Sequence, residues 1–270
     1  MSNTLPPCIV GFDGSRQALA ASALARALSA RTGATTILAH ALVPGEDRAA
    51  AEALLAGEQT RYGTPSRSVL LEGKPATALS ELAAREGAGL VAIGTLGRGA
   101  VGRALFGSVA HALLRDAPFP VLVAHDAPVE AVRVVFAAVD ESESAARVVA
   151  EARRIAEACG ASLAMAHVLA ADLDLVAHPE AYGIAREAWE ETLAGVRDRV
   201  FGPHRAGAVT GEHERLLFGW PADALRDVAT AAGAEIVVTG RRGGSGRGVE
   251  HVWSVASRLA SRGPFATLVV

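Results

Sequence analysis

Residues Leu90 to Val109 read LVAIGTLGRGAVGRALFGSV, and the rest of the chain is organised around them. Leu90 to Ile93 is a short, unbroken apolar run, the pattern of a strand buried on both faces. Gly94 ends it, and Gly97, Gly99 and Gly102 follow, interleaved with Arg98 and Arg103. Gly107-Ser108 then opens the helical stretch VAHALLRDA, which predicts Ser108 as the helix N-cap. Glycines let the main chain turn sharply and approach a ligand closely. The first amides of a helix have no partner within it, and its dipole favours an anion there. The stretch therefore reads as a cradle for phosphate. It matches neither GxGxxG nor the P-loop pattern; its spacing is Gly94-x2-Gly97-x9-Gly107-Ser108.

The chain also contains itself twice. Asp13, in IVGFDGS, and Asp140, in FAAVDES, lie 127 residues apart. Gly73-Lys74-Pro75 and Gly219-Trp220-Pro221 are 146 apart, as are Gly94-x2-Gly97 and Gly240-x2-Gly243, and Pro118-Phe119 and Pro264-Phe265. The change of offset places 19 extra residues after His167, in a segment that reads as a loop and a long helix. Two domains are expected, 1–127 and 131–270, each near the usual domain size.

In the first repeat, apolar runs predict strands at Cys8–Phe12, Thr36–His40, Ser68–Leu71, Leu90–Ile93 and Val121–Val123. Helices are expected from a Ser15 cap to about Ala30, over Asp47–Glu58, and from Pro75. The second repeat gives strands at Val134–Ala138, Leu163–Val168, Glu214–Leu217, Ile236–Thr239 and Thr267–Val270. Alternating apolar strands and helices predict α/β architecture with parallel, doubly wound sheets.

Composition narrows the function. Half the residues are hydrophobic and 20% charged, enough for a packed core. A net charge of −3 and an aromatic content of 4% argue against nucleic acid as a partner. Cys8 and Cys159 read as small buried hydrophobes, with no disulfide framework and no metal site. No signal peptide or membrane span is evident, which makes a soluble cytoplasmic protein the expectation. His40 and His167 end equivalent strands and His111 and His251 follow the glycine turns; without clustered carboxylates or thiols they read as structural or surface residues. Glu187, Glu190 and Glu191 read as a solvated helix face, and Lys74 as solvated. Trp189 and Trp220 read either as interface anchors or as core. Ser15 and Ser142 look like helix caps, and no nucleophile–base arrangement stands out.

The glycine spacing, the VGFDGS and AAVDES turns, the strand-two ends and the Gly-x-Pro segments together resemble the universal stress protein family over nearly the whole chain. The resemblance implies a tandem member: two five-stranded parallel sheets in the order 3-2-1-4-5, adenine nucleotide alpha-hydrolase-like. It implies ATP as ligand, with or without Mg2+. Asp13 and the backbone around Ala41 would face the adenine, with Ile93 beneath the nucleotide. Gly94 and Gly97 would approach ribose and phosphates, and Gly107, Ser108 and Val109 would meet the phosphates. In the second repeat Asp140, Gly240, Gly243 and Ser254 form a weaker counterpart, because Trp253 stands where the motif has glycine. The family pattern also implies that the repeats pair through their fifth strands and that two chains associate further. The alternatives are a regulatory protein with both sites empty, and a slow ATPase.

Overall fold

A computed structural model describes residues 6–63, 65–96, 107–125, 129–206, 212–241 and 255–270. The chain divides into two compact units, residues 1–132 with 260–270, and residues 133–259. The terminal residues 260–270 thus join the first unit, although they belong to the second repeat.

The first unit contains strands β1 (Cys8–Gly11), β2 (Thr36–Ala41), β3 (Ser66–Leu71), β4 (Leu90–Gly94) and β5 (Val121–Ala124). They are parallel, in the order β3-β2-β1-β4-β5. A further strand, β10 (Ala266–Val269), lies antiparallel on β5 with Leu268 opposite Leu122. Helices α1 (Arg16–Thr32), α2 (Arg48–Gln59), α3 (Pro75–Glu86) and α4 (Ser108–Asp116) connect the parallel strands.

Local chemistry sets these boundaries. The Ser15 side chain accepts from the Ala18 amide and starts α1; Gly33, at φ 71°, ends it and donates its amide to Ser29. Pro75 opens α3, where its missing N–H costs nothing. The central strands are buried on both faces, and Ile9, Val10, Leu38, Val91 and Leu122 have 0% exposure. Each such side chain contributes roughly 1.5–3 kcal/mol. One charged group also lies inside: Glu58 of α2 accepts from Ser22 Oγ at 2.6 Å and faces Arg26 and Arg61 at 3.7 and 3.6 Å. Burial beside this cluster pushes the Tyr62 phenol above its usual range, although its hydrogen bond with Ser22 opposes the shift.

The second unit contains β6 (Val134–Ala138), β7 (Ser162–Leu169), β8 (Glu212–Phe218) and β9 (Ile236–Thr239), parallel in the order β8-β7-β6-β9. Its helices are α5 (Ala145–Cys159), α6 (Leu173–Ala177), α7 (Arg186–Phe201) and α8 (Pro221–Ala231); α9 (Val255–Arg262) runs into the last strand. The extra segment after β7 is thus more broken than expected. Pro179–Tyr182 forms a 3-10 turn that Gly183, at φ 74°, terminates before α7. Glu187, Glu190 and Glu191 are exposed on α7, as expected of a solvated face.

Arg153 of α5 is mostly buried and grips Glu212 of β8 at 2.6 and 2.9 Å, and it also donates to the His204 carbonyl. Burial, reinforced by the Arg153 charge, holds the His204 imidazole below its ordinary 6.5. A depressed folded-state pKa means that the unfolded chain takes up the proton first as pH falls. His204 therefore favours the folded state above about pH 6.5 and loses that advantage below it. Thermal melts between roughly pH 7 and pH 5 should show a smaller acid-induced drop for His204→Asn than for the wild type.

Two cysteine and tryptophan readings need correction. Cys8 is buried, but Cys159 is only half-buried, because it occupies the last turn of α5 just before Gly160 turns the chain at φ 64°. Trp220 is not core: it is 77% exposed at the start of α8.

Candidate nucleotide site

The carboxyl ends of β2, β1 and β4 lie side by side. Gly11 is in register with Ala39 and Val10 with Ala92, and the Phe12 amide donates to the Ala39 carbonyl at 2.8 Å. Asp13, Ala41 and Gly94 therefore stand at one end of three neighbouring strands. The chain leaves β1 towards β2 and leaves β4 towards β5, so the strand order reverses between them. That is where open α/β sheets form a crevice.

The turns on the two sides of this crevice are bonded together. Asp13 Oδ1 accepts from the Ser15 amide at 2.9 Å, across Gly14 at φ 76°. Only glycine adopts that conformation without strain. The Ser15 hydroxyl accepts from Ala18 at 3.2 Å and donates to the Leu96 carbonyl at 3.4 Å. One hydroxyl thus starts α1 and holds the exit of β4. At the far side of the loop, the Gly107 amide donates to Thr95 at 2.7 Å. The β4–α4 loop is pinned at both ends. Gly97, Arg98 and Arg103 lie outside the described residues.

Gly107, not Ser108, is the N-cap of α4, with φ −71° and ψ 156°; Ser108 is the first helical residue and is exposed. The glycine offers no side-chain acceptor, and its own amide is taken by Thr95. The amides of Ser108, Val109 and Ala110 have no carbonyl within α4 to bond, which is the arrangement that suits an anion.

Gly94 has a packing reason beside any ligand reason. A Cβ there would stand 2.6 Å from Gln17 Cβ, 2.7 Å from the Gln17 carbonyl carbon and 2.9 Å from the Ala18 nitrogen. The first turn of α1 occupies the space a side chain would need. Ile93 is buried and packs over β1, where its Cγ2 would lie 3.0 Å from a Cβ on Gly11. Ala41 is half-buried at the end of β2 and pairs with Leu71.

One part of this edge escaped the reading of the sequence. His40 is 5% exposed; its Nδ1 faces the Phe12 carbonyl at 2.8 Å and its Nε2 faces Glu46 Oε2 at 3.0 Å. The same carboxylate accepts from the Val43 amide at 3.2 Å. The available signal was the recurrence of histidine at both strand-two ends. Glu46 itself carries no periodic mark.

In the second repeat Asp140 and Gly240 stand at the ends of β6 and β9, which are neighbours with Ala138 opposite Thr239. The turn differs. Glu141 replaces the left-handed glycine, and Asp140 Oδ1 holds both the amide and the hydroxyl of Ser142, at 3.0 and 2.5 Å. Ser142 is consequently not the cap of α5; Ser144 is, with no side-chain cap bond. His167 repeats the first bond of His40, with Nδ1 on the Val139 carbonyl at 2.8 Å. Gly243, Trp253, Ser254 and His251 lie outside the described residues. His111 and Lys74 are exposed. Among the described residues no group of three or more His, Cys, Asp or Glu side chains is placed to hold a metal ion.

Strand order, parallel sense and the crevice between β1 and β4 define a doubly wound α/β protein of the 3-2-1-4-5 type. More narrowly, the chain belongs to the universal stress protein family, whose model matches it twice, over residues 6–125 and 131–270. A universal stress protein of Thermus aquaticus is 33% identical over 130 residues, covering 43% of this chain and 95% of that protein. One from Mycobacterium bovis is 36% identical over 134 residues, covering 44% of this chain and 45% of its own length, so the match spans less than half of that relative. A universal stress protein structure from Archaeoglobus fulgidus superimposes with a TM-score of 0.69 at 20% identity, covering 98% of this chain and 97% of that one, a likeness of fold. Among the described residues no helix is long and apolar enough to cross a membrane.

Proposed function

We propose that the first repeat binds an adenine nucleotide, ATP with or without Mg2+, and that occupancy alters what the protein associates with in a cytoplasmic stress response. The observation that carries this reading is the stitched crevice. Ser15 ties the turn after β1 to Leu96, and Thr95 ties Gly107, so the start of α4 is held beside the end of β1. A phosphate chain would meet the first amides of α4 at Ser108 and Val109, with the base towards Asp13 and Ala41. These residues suit that ligand in chemistry: unpaired helical amides for anionic oxygens, and a carboxylate and main-chain groups for an adenine or ribose edge. On this reading the chain's part is to bind and orient the nucleotide. In the second repeat the altered turn at Glu141 and the Trp253 substitution support a single competent site per chain.

Isothermal titration and thermal melting with ATP test the proposal. One equivalent should bind, and ATP at a hundred times its Kd should stabilise the first unit by about 2.7 kcal/mol. No heat and no shift in melting would overturn it, and two equivalents would overturn the single-site part.

A second reading has its own support. Gly94 is required by the packing of α1, so part of the motif exists without any ligand. On this reading the loop is a rigid crossover and the tandem acts as a regulatory protein with both sites empty. The same titration separates the two.

A further inference from the structure

We propose that His40 and Glu46 form a clasp that positions the base-facing wall of the first site; this rests on the nucleotide reading above. A carbonyl oxygen only accepts, so the Nδ1–H of His40 donates to Phe12. Nε2 then faces the Glu46 carboxylate, and one proton is held between nitrogen and oxygen. A hydrogen bond with a charged partner is stronger than a neutral one. The same carboxylate oxygen takes the Val43 amide. Through one imidazole, the peptide just before Asp13 is thereby joined to the loop just after Ala41. Those are the two walls between which the base would lie.

The second repeat provides an internal comparison. His167 keeps the bond to the strand-one carbonyl, but among the described residues its Nε2 faces no carboxylate. The first repeat thus has a braced wall where the second has only the histidine. The clasp lies at the base side, away from the first turn of α4. It therefore acts on recognition of the adenine end and leaves recognition of the phosphates alone, which is how a positioning residue differs from a generally stabilising one.

The test uses the full chain and two probes, ATP and inorganic tripolyphosphate competing with it. Glu46→Ala should weaken ATP about tenfold, a loss of one charged hydrogen-bond partner, while the tripolyphosphate constant stays unchanged. Glu46→Gln, whose single amide oxygen can take the place of Oε2 and accept from both Val43 and the ring Nε2–H, should recover ATP affinity to within about threefold of wild type. His40→Asn, which retains a donor near Nδ1 but cannot reach Glu46, should behave like Glu46→Ala. Unchanged ATP affinity in Glu46→Ala, or equal losses for both probes, would overturn the clasp and leave the nucleotide reading standing. Wild-type protein that binds no ATP, or whose ATP tripolyphosphate does not displace, would overturn both.

Discussion

Alanine in place of Gly94 is expected to destabilise the first unit by about 2 kcal/mol or more, although the change adds one methyl group. Two of the three atoms it would meet belong to main chain, the Gln17 carbonyl carbon at 2.7 Å and the Ala18 nitrogen at 2.9 Å. A flexible side chain could swing aside, but the first turn of α1 cannot. Helix and strand would have to separate, and the Ser15–Leu96 bond that joins the two turns would lengthen with them. The lower entropy of an unfolded chain containing alanine offsets only about 0.4–1 kcal/mol. Gly57 supplies the control: it lies within α2 with nothing inside 4 Å of an added Cβ. There the same substitution should stabilise, by roughly 0.5–1 kcal/mol. Urea melts of the two variants should move in opposite directions. A Gly94→Ala protein as stable as wild type would show that α1 and β4 are not packed as described.

Removal of residues 264–270 should have a larger effect. These residues include Phe265, Leu268, Val269 and Val270, at 2, 0, 1 and 6% exposure. At roughly 1.5–3 kcal/mol each, their burial is comparable with the whole stability of a typical domain, about 5–15 kcal/mol. The truncation also uncovers β5, whose four residues are all buried, and leaves its outer edge open to association with other chains. Circular dichroism should show loss of the cooperative melt of the first unit, or a midpoint lowered by more than 10 °C on the usual scaling of roughly 2–4 °C per kcal/mol. Leu268→Ala, the milder version, should cost about 2–5 kcal/mol. A melting midpoint unchanged by truncation would refute the placement of β10 on β5.

What the sequence made legible follows from which signals are local. Val134–Ala138 and Ile236–Thr239 were bounded by their apolar runs alone, and Ser15, Gly33 and Pro75 marked helix ends because capping and proline geometry act within a few residues. Where polar residues share a strand the signal weakened. β3 begins at Ser66 and β8 at Glu212, each two residues before the expected starts at Ser68 and Glu214. The cap of α4 was misread because Gly107 and Ser108 are both acceptable caps, and the bond from Gly107 to Thr95 decides between them. The inserted segment was read as a loop and a long helix, and neither the short helix α6 nor the 3-10 turn at Pro179–Tyr182 was foreseen in it. At the site, Asp13 and Gly94 were brought together by the strand order that the family resemblance implies, and Ala41 by the resemblance itself. The pairing of His40 with Glu46 depends on how a five-residue turn folds back, and no spacing rule encodes that. Gly94 was read for its ligand role, whereas its contact is with a helix 77 residues earlier in the chain.

The division of the chain at residues 132 and 259 has a consequence for how it is made. A ribosome delivers residues in order, and domains generally fold as they emerge. The intervening unit, residues 133–259, is complete before residues 260–270 have been synthesised. Until then β5 waits with an apolar flank uncovered on the nascent polypeptide. The earlier-made half of the protein is therefore the last to be finished, and its window for misassembly lasts for the translation of more than a hundred codons.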